Sequence, residues 1–483
     1  MFEHLLRLMR CRMDSSRGEA GEWFDREVDT AAFRDKRLGE RLRTLVAQLA
    51  GAIGDPIPMA CQDWANTKAA YRFLSNEAVG EGEILAGHFQ ATRSRVAAID
   101  DLILVLQDTT EFTYKRSNPE KIGAIGLTPV GRDLHGHLEH RTVCGLLLHA
   151  SLAVTAEGLP LGLSAAKFWT RSRFKGTNAL KRHINPTRVP IEEKESFRWL
   201  ENMRQSTELL GSPERLVHIG DRENDIYEFF CAAQAIGTHF LVRTCVNRLA
   251  GDGEHTIADE MTEVEVQGVH SVVIGAGESD VAELELRYRQ ICVLPPIGKQ
   301  KSYPAQTLTV IHANERGEPA GRPRIEWKLI TDLPVTSLQG AIEKLEWYAQ
   351  RWKIEIFHKI LKSGCRAEHA KLRTAERLVN LIAVLCILSW RIFWLTMINR
   401  TAPMAPPQLA LTEVEITTLD RLRPDKEANS PKSLSCYILK IARLGGYLAR
   451  THDPPPGNMV IWRGWARLTD IVLGATITAD TYG

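Results

Sequence analysis

An α/β fold is predicted from three observations. Short unbroken apolar runs end at acidic residues, a later stretch alternates like surface strands, and helix-periodic segments lie on either side. The first run, Leu102-Ile103-Leu104-Val105-Leu106, suits a strand buried on both faces and ends at Gln107-Asp108-Thr109-Thr110. A second, Leu216-Val217-His218-Ile219, ends at Gly220-Asp221-Arg222. Both carboxylates are expected just past strand ends, where ligand sites gather in α/β sheets.

Residues up to about 95 read as helical. Leu38, Leu42, Leu45, Val46 and Leu49 recur at helical spacing within Arg34 to Ala52, and a second unit runs from Thr67 to Leu74. Strands are expected at Cys144 to Val154, Gly162 to Phe168 and His239 to Arg243, with a helix over Asp225 to Ala235. From 246 to 331, alternation over Val264 to Ile274, Glu283 to Val293 and Gln306 to His312 reads as a β-rich insertion. Helix is expected again at Ser337 to Leu361 and Thr374 to Asn399, after which Pro403, Pro406 and Pro407 mark a linker. The division is therefore 1–95 helical, 96–400 α/β with the 246–331 insertion, and 401–483 helical.

Composition limits the function classes. With 44% hydrophobic and 25% charged residues over 483, the chain can build a large core. The net charge of +2, from 61 basic and 59 acidic residues, neither announces nor excludes nucleic acid. Nine scattered cysteines without a C-x-x-C pair favour a reducing compartment over a disulfide framework or zinc site. The apolar segment Leu378 to Ile398 is interrupted by Asn380 and Arg391 and reads as a core helix. The N-terminus lacks the apolar stretch of a signal peptide. A soluble, cytoplasmic protein without a membrane partner is expected.

The chemistry concentrates in Tyr348-Ala349-Gln350-Arg351-Trp352-Lys353-Ile354-Glu355-Ile356-Phe357-His358-Lys359-Ile360-Leu361-Lys362. On one regular helix, Tyr348, Arg351, Glu355 and Lys362 fall within an arc of about 60°. A carboxylate among cations satisfies salt bridges at i, i+4 spacing, and it equally suits a metal ligand whose neighbours grip phosphate. His135, His137 and His140 are close in sequence, but their glycine-rich setting reads as a loop rather than a metal cluster.

The pattern Y-x2-R-x3-E-x6-K, complete here as Tyr348, Arg351, Glu355 and Lys362, resembles the signature of bacterial cut-and-paste DDE transposases of the insertion-sequence-four family, the group of the Tn-five transposase. Gln107-Asp108-Thr109-Thr110 resembles the family's first acidic motif. Gly220-Asp221-Arg222-Glu223-Asn224-Asp225 resembles the second, with Asn224 where alanine or glycine is more usual. Smaller echoes are Ala70-Tyr71-Arg72-Phe73, Glu193-Lys194-Glu195-Ser196 before Trp199-Leu200, and Ile441-Ala442-Arg443-Leu444-Gly445-Gly446.

The resemblance implies an RNase H-like catalytic core whose sheet draws three carboxylates together, interrupted by the β-rich insertion and flanked by a helical DNA-end-binding region and a helical C-terminal dimerisation region. It implies a transposase that cuts DNA, forms a hairpin at the element's end and joins the freed 3′-hydroxyl to target DNA. Asp108, Asp221 and Glu355 would hold two Mg²⁺ ions, for which Mn²⁺ substitutes, with Asp108 bridging. Glu223 and Asp225 compete with Asp221 for that role, but Asp221 follows the strand directly. Tyr348, Arg351 and Lys362 would hold phosphates, with Lys359 and Arg243 as further contacts. Trp327, helped by Trp352, would receive an unstacked base. Arg37, Arg41, Lys68 and Arg72 would bind the inverted-repeat end, in a DNA-bound homodimer. A two-metal nuclease that cuts without joining, a non-catalytic DNA-binding relative and a glycosidase are the rival readings. The glycosidase leaves Tyr348, Arg351 and Lys362 unexplained.

Overall fold

Capping and periodicity set the first helices. In the computed structural model, which describes residues 23–132, 138–171, 189–274, 281–319, 321–424 and 432–481, helix α1 (Lys36–Gly51) begins where the Asp35 carboxylate accepts the Arg37 N–H. It buries Leu42, Leu45, Val46 and Leu49. Helices α2 (Ile57–Cys61), α3 (Trp64–Leu74, capped by Asp63) and α4 (Glu81–Ala97) follow.

The sheet is assembled from β1 (Ile103–Thr113), β2 (Ala124–Arg132), β3 (Leu138–Thr155), β4 (Pro160–Trp169), β5 (Leu216–Gly220) and β6 (His239–Arg243). It continues through β7 (Gly268–Val273), β8 (Val281–Val293), β9 (Gln306–Glu315) and β10 (Glu326–Thr331). The order among described residues is β2-β3-β1-β5-β6-β10-β9-β8-β7, with β4 also paired to β3. Strands β1, β5 and β6 run parallel, and their outer neighbours pair antiparallel. Together with the helices packed on it, this mixed sheet is consistent with an RNase H-like DDE domain.

One sequence expectation needs correction here. The first acidic residue does not lie past its strand, because β1 runs on from the apolar stretch through Asp108 to Thr113. Antiparallel pairing with β3 carries it on, Asp108 opposite Ala150, after parallel pairing with β5 stops at Leu106. The β-rich stretch joins the core sheet. Antiparallel pairing of β10 with β6 makes its strands an extension of the same sheet.

Between the strands lie α5 (Phe197–Leu210), α6 (Tyr227–Ile236) and α7 (Ile257–Thr262). After β10 come α8 (Leu338–Ala349), α9 (Trp352–Lys359) and α10 (Ala375–Thr401). Helix α10 is long and apolar enough to cross a membrane, yet its most apolar window is wholly buried inside the fold. Around it pack α1, α3 and α4 and the C-terminal α12 (Leu434–Leu444) and α13 (Asn458–Thr481), on which α11 (Glu413–Leu422) packs in turn. Phe24, Leu45, Leu388, Ile441 and Trp465 consequently belong to one continuous apolar core, so the two helical ends share a core rather than forming separate bodies. The described cysteines are free thiols.

Candidate functional site

Strand alternation decides what each part of the first acidic motif does. Asp108 shares its β1 face with Leu104 and Leu106, which join the same core as Ile354 and Phe357 of α9. Gln107 and Thr109 point the other way, into buried polar bonds. Thr109 Oγ1 meets His149 Nδ1 at 2.9 Å and accepts from Arg198 Nε at 3.1 Å, while Gln107 lies between His149 and His218 at 3.3 and 3.2 Å. Arg198 also binds Glu223, so this network connects β1 with the second acidic motif.

Helix α9 supplies the third carboxylate. Its inner side is fixed by Ile354, Phe357 and the buried Lys353, whose Nζ donates to Gly158 O at 2.9 Å. A side chain at Gly158 would occupy the ammonium's place, and its φ of 86° suits glycine. The expected single helix from Ser337 to Leu361 is broken. Gln350 and Arg351 form a turn with i→i−3 bonds to Trp347 and Tyr348, and Ile360–Gly364 winds as a π-turn. Tyr348, Arg351, Glu355 and Lys362 therefore do not lie on one regular helix, although Arg351 stays beside both Tyr348 and Glu355. Tyr348 is buried on α8, Arg351 sits at the break bound to Glu355, and Lys362 lies 3.9 Å from Glu368.

An open cleft results, lined by Asp108, Thr109, Thr110, Glu355, His358, Lys359, Lys362, Ser363 and Glu368. Asp108 is recessed at 18% side-chain exposure and Glu355 is open at 54%. Burial pushes the Asp108 carboxyl up to about 7. The Thr109 N–H and Arg351 oppose that rise, and the charges of Asp221 and Glu355 add to it. Asp108 thus feels the charges of both other acidic groups. Among the described residues, however, no three His, Cys, Asp or Glu side chains stand close enough to hold a metal ion as they are, so the expected ready clamp is not formed in this state. The donor chemistry still fits a hard divalent cation: three carboxylates whose mutual repulsion a cation relieves.

Asp221 follows β5 directly, as expected, and its Oδ1 accepts the Glu223 N–H at 2.9 Å. The tight turn requires Gly220, since a Cβ there would meet the Asn224 side chain at 2.5 Å. Its two rivals are otherwise engaged. Glu223 pairs with Arg198, and buried Asp225 accepts from Thr244 Oγ1 and the Cys245 and Val246 N–H groups at 2.7–2.8 Å while pairing with Arg248.

The remaining candidates divide. Trp327 on β10 packs edge-on to Tyr348, centroids 5.5 Å apart, and Arg243 lies beside Tyr348 while donating to Glu326 O. Trp352 and Lys359 are exposed. Of the N-terminal set, Arg37, Lys68 and Arg72 are exposed, whereas Arg41 is turned inward onto Asn66. His135 and His137 lie outside the described residues, and of His140 only the backbone is described, paired with Pro129.

Sequence reasoning missed His358 and Arg198. His358 Nδ1 lies 3.8 Å from Asp108 Oδ2, but burial and Lys362 pull its pKa down to about 3, so this contact is not an ion pair. The available signal was its place three residues after Glu355, on the same helical turn. Arg198 could be found only as a charge next to Trp199 at the start of an amphipathic helix.

Residues 20–79 match the family model described as transposase DNA-binding. Residues 241–391, which include Trp327, Tyr348, Arg351, Glu355 and Lys362 but neither aspartate, match the model described as transposase DDE domain. Together the two regions support a DDE transposase with DNA as its partner.

Proposed function

We propose that the chain excises and integrates a DNA element through hydrolysis, hairpin formation and strand transfer, with Asp108, Asp221 and Glu355 as the catalytic carboxylates. The observation that carries this reading is a cleft that sets the recessed Asp108 beside Glu355, Lys359 and Lys362, with the charge of Asp221 also reaching Asp108. Bound Mg²⁺, or Mn²⁺ in its place, supplies Lewis acidity and neutralises charge on the reacting phosphate. Arg351 holds Glu355 and tempers the charge on Asp108. Tyr348, Lys359, Lys362 and Arg243 hold or attract the phosphate backbone, and Trp327, aided by the exposed Trp352, receives an unstacked base. The DNA-bound form is a homodimer in the cytoplasm, joined through the C-terminal helices and seated on inverted-repeat ends.

Incubation with a duplex bearing the element's end, target plasmid and Mg²⁺ should give joined DNA. Cut DNA without joined product makes the chain a nuclease, and intact DNA makes it a non-catalytic binder.

Metal binding should also depend on pH. Asp108 has its carboxyl raised from 3.8 to about 7, so the folded chain holds this proton more tightly than the unfolded chain does. Its contribution to stability is full below about 3.8 and is lost as pH rises through about 7. A cation must displace the proton below that point. Mg²⁺ should therefore raise the Tm more at pH ~8 than at pH ~6, and Asp108→Asn should remove the difference. Equal shifts at both pH values would show that ion binding does not displace a proton from Asp108.

A further inference from the structure

We propose that Arg198 is a positioning residue that sets where Asp221 stands relative to Asp108, by clamping the buried side of β1 to the turn after β5. This rests on the reading of both aspartates as metal ligands.

Gln107 and Thr109 flank Asp108 on the other face of β1, and the direction of every hydrogen bond there follows from one end. The Thr207 hydroxyl donates to Met203 O at 2.8 Å, so its oxygen can only accept from His218 Nε2, 3.1 Å away. Burial pulls the His218 pKa down to about 3 and keeps the ring neutral, so His218 Nδ1 accepts from Gln107 Nε2. The Gln107 carbonyl then faces His149 Nε2, which donates to it. Burial holds His149 neutral as well, so its Nδ1 accepts the Thr109 hydroxyl. Thr109 Oγ1 is left as an acceptor, and Arg198 Nε donates to it at 3.1 Å. A guanidinium has only donors, so the series ends on the one kind of group that satisfies it. Both ends return to α5, Arg198 in its first turn and Thr207 near its last.

Arg198 reaches the second acidic motif from the same place. Its Nη2 donates to Glu223 and its Nη1 to Glu195 O at 2.9 Å. The Glu223 N–H in turn binds Asp221 Oδ1. One side chain on a residue only 8% exposed thus holds a neighbour of Asp108 and a neighbour of Asp221. Burial lowers the Arg198 pKa, and the charges of Glu223, Glu195 and Asp221 oppose that fall, so the guanidinium lies within reach of Asp221 itself. Its planar fork fixes the directions of Nε, Nη1 and Nη2, which a lysine ammonium on a flexible stem does not. A rigid link of this kind reduces the freedom that two carboxylates lose when an ion joins them. Arg198 does not line the cleft, so it acts through the aspartates.

The test measures Mn²⁺ affinity of the full chain bound to duplex DNA, from the electron paramagnetic resonance of free Mn²⁺. Arg198→Ala should bind Mn²⁺ about tenfold more weakly than wild type, while duplex affinity stays within about twofold. Cleavage should need about tenfold more Mg²⁺ for half its maximal rate, with that maximal rate changed by about threefold or less. Arg198→Lys should recover little. Glu223→Ala removes a mostly exposed side chain and should show the same weakening even where Arg198→Ala does not fold, and Glu223→Gln should recover most of it. Thr207→Val breaks the network at its far end, so it should lower the thermal midpoint without changing Mn²⁺ affinity. Wild-type Mn²⁺ affinity in Arg198→Ala and Glu223→Ala, or an equal weakening in Thr207→Val, overturns the positioning role. A wild-type chain that binds no Mn²⁺ and cuts no DNA overturns the reading of the aspartates themselves.

Discussion

Asp108→Ala should abolish Mg²⁺-dependent DNA cleavage, by about 10³-fold or more, while duplex binding stays within about twofold. The asymmetry follows from the position of the side chain. Asp108 is recessed on β1 while Glu355 is open, and the cations proposed to meet DNA lie on α9, the following turn and the N-terminal helices. Asp108→Asn keeps the shape but cannot carry the charge, so it should fail equally. Asp221→Ala should behave in the same way. Glu355→Ala differs in one respect: it releases Arg351 from its ion pair, so cleavage is lost while duplex binding rises. Gel-shift and cleavage assays on the same preparations make the comparison. Cutting that survives any one substitution removes that residue from the site.

Asp225→Ala should give the largest loss of stability, about 3–5 kcal/mol, seen as a lowered denaturation midpoint. One carboxylate oxygen receives a hydroxyl and two backbone N–H groups, and the other faces the guanidinium of Arg248, which is itself buried. Removing the carboxylate leaves a buried cation and three donors without an acceptor. The loop after β6 is held to the second acidic motif by those bonds, so cleavage should fall along with stability. Glu223→Ala removes only a charge that is 62% exposed at the side chain, and should cost far less. Similar losses for both would contradict the structural role given to Asp225.

Much of this could be read from residue order. Short, mainly apolar runs located β1 and β5, because strands buried on both faces carry few polar residues; His218 is the buried exception. The choice of Asp221 over Asp225 followed from its place directly after β5, and the bonds of Asp225 give the physical reason. Three things were not legible. Pattern cannot tell where an apolar strand stops being a strand, and pairing with β3 carried β1 through Asp108. Helical periodicity assumes unbroken geometry, and the tightened turn at Gln350 and Arg351 divides that stretch into α8 and α9. Surface cations look alike in a sequence, and only the contact with Asn66 separates Arg41 from Lys68 and Arg72.

By itself the sequence determined which segments become strands and helices, and which acidic and basic residues stand next to them, because those depend on neighbours a few positions away. The tertiary structure decided that residues more than a hundred positions apart act on one carboxyl, since burial and charge depend on distance through space. It also decided that the three acidic groups lie within electrostatic reach yet short of a metal cluster, a matter of how α9 is pinned through Lys353 and Phe357 and how Arg351 holds Glu355.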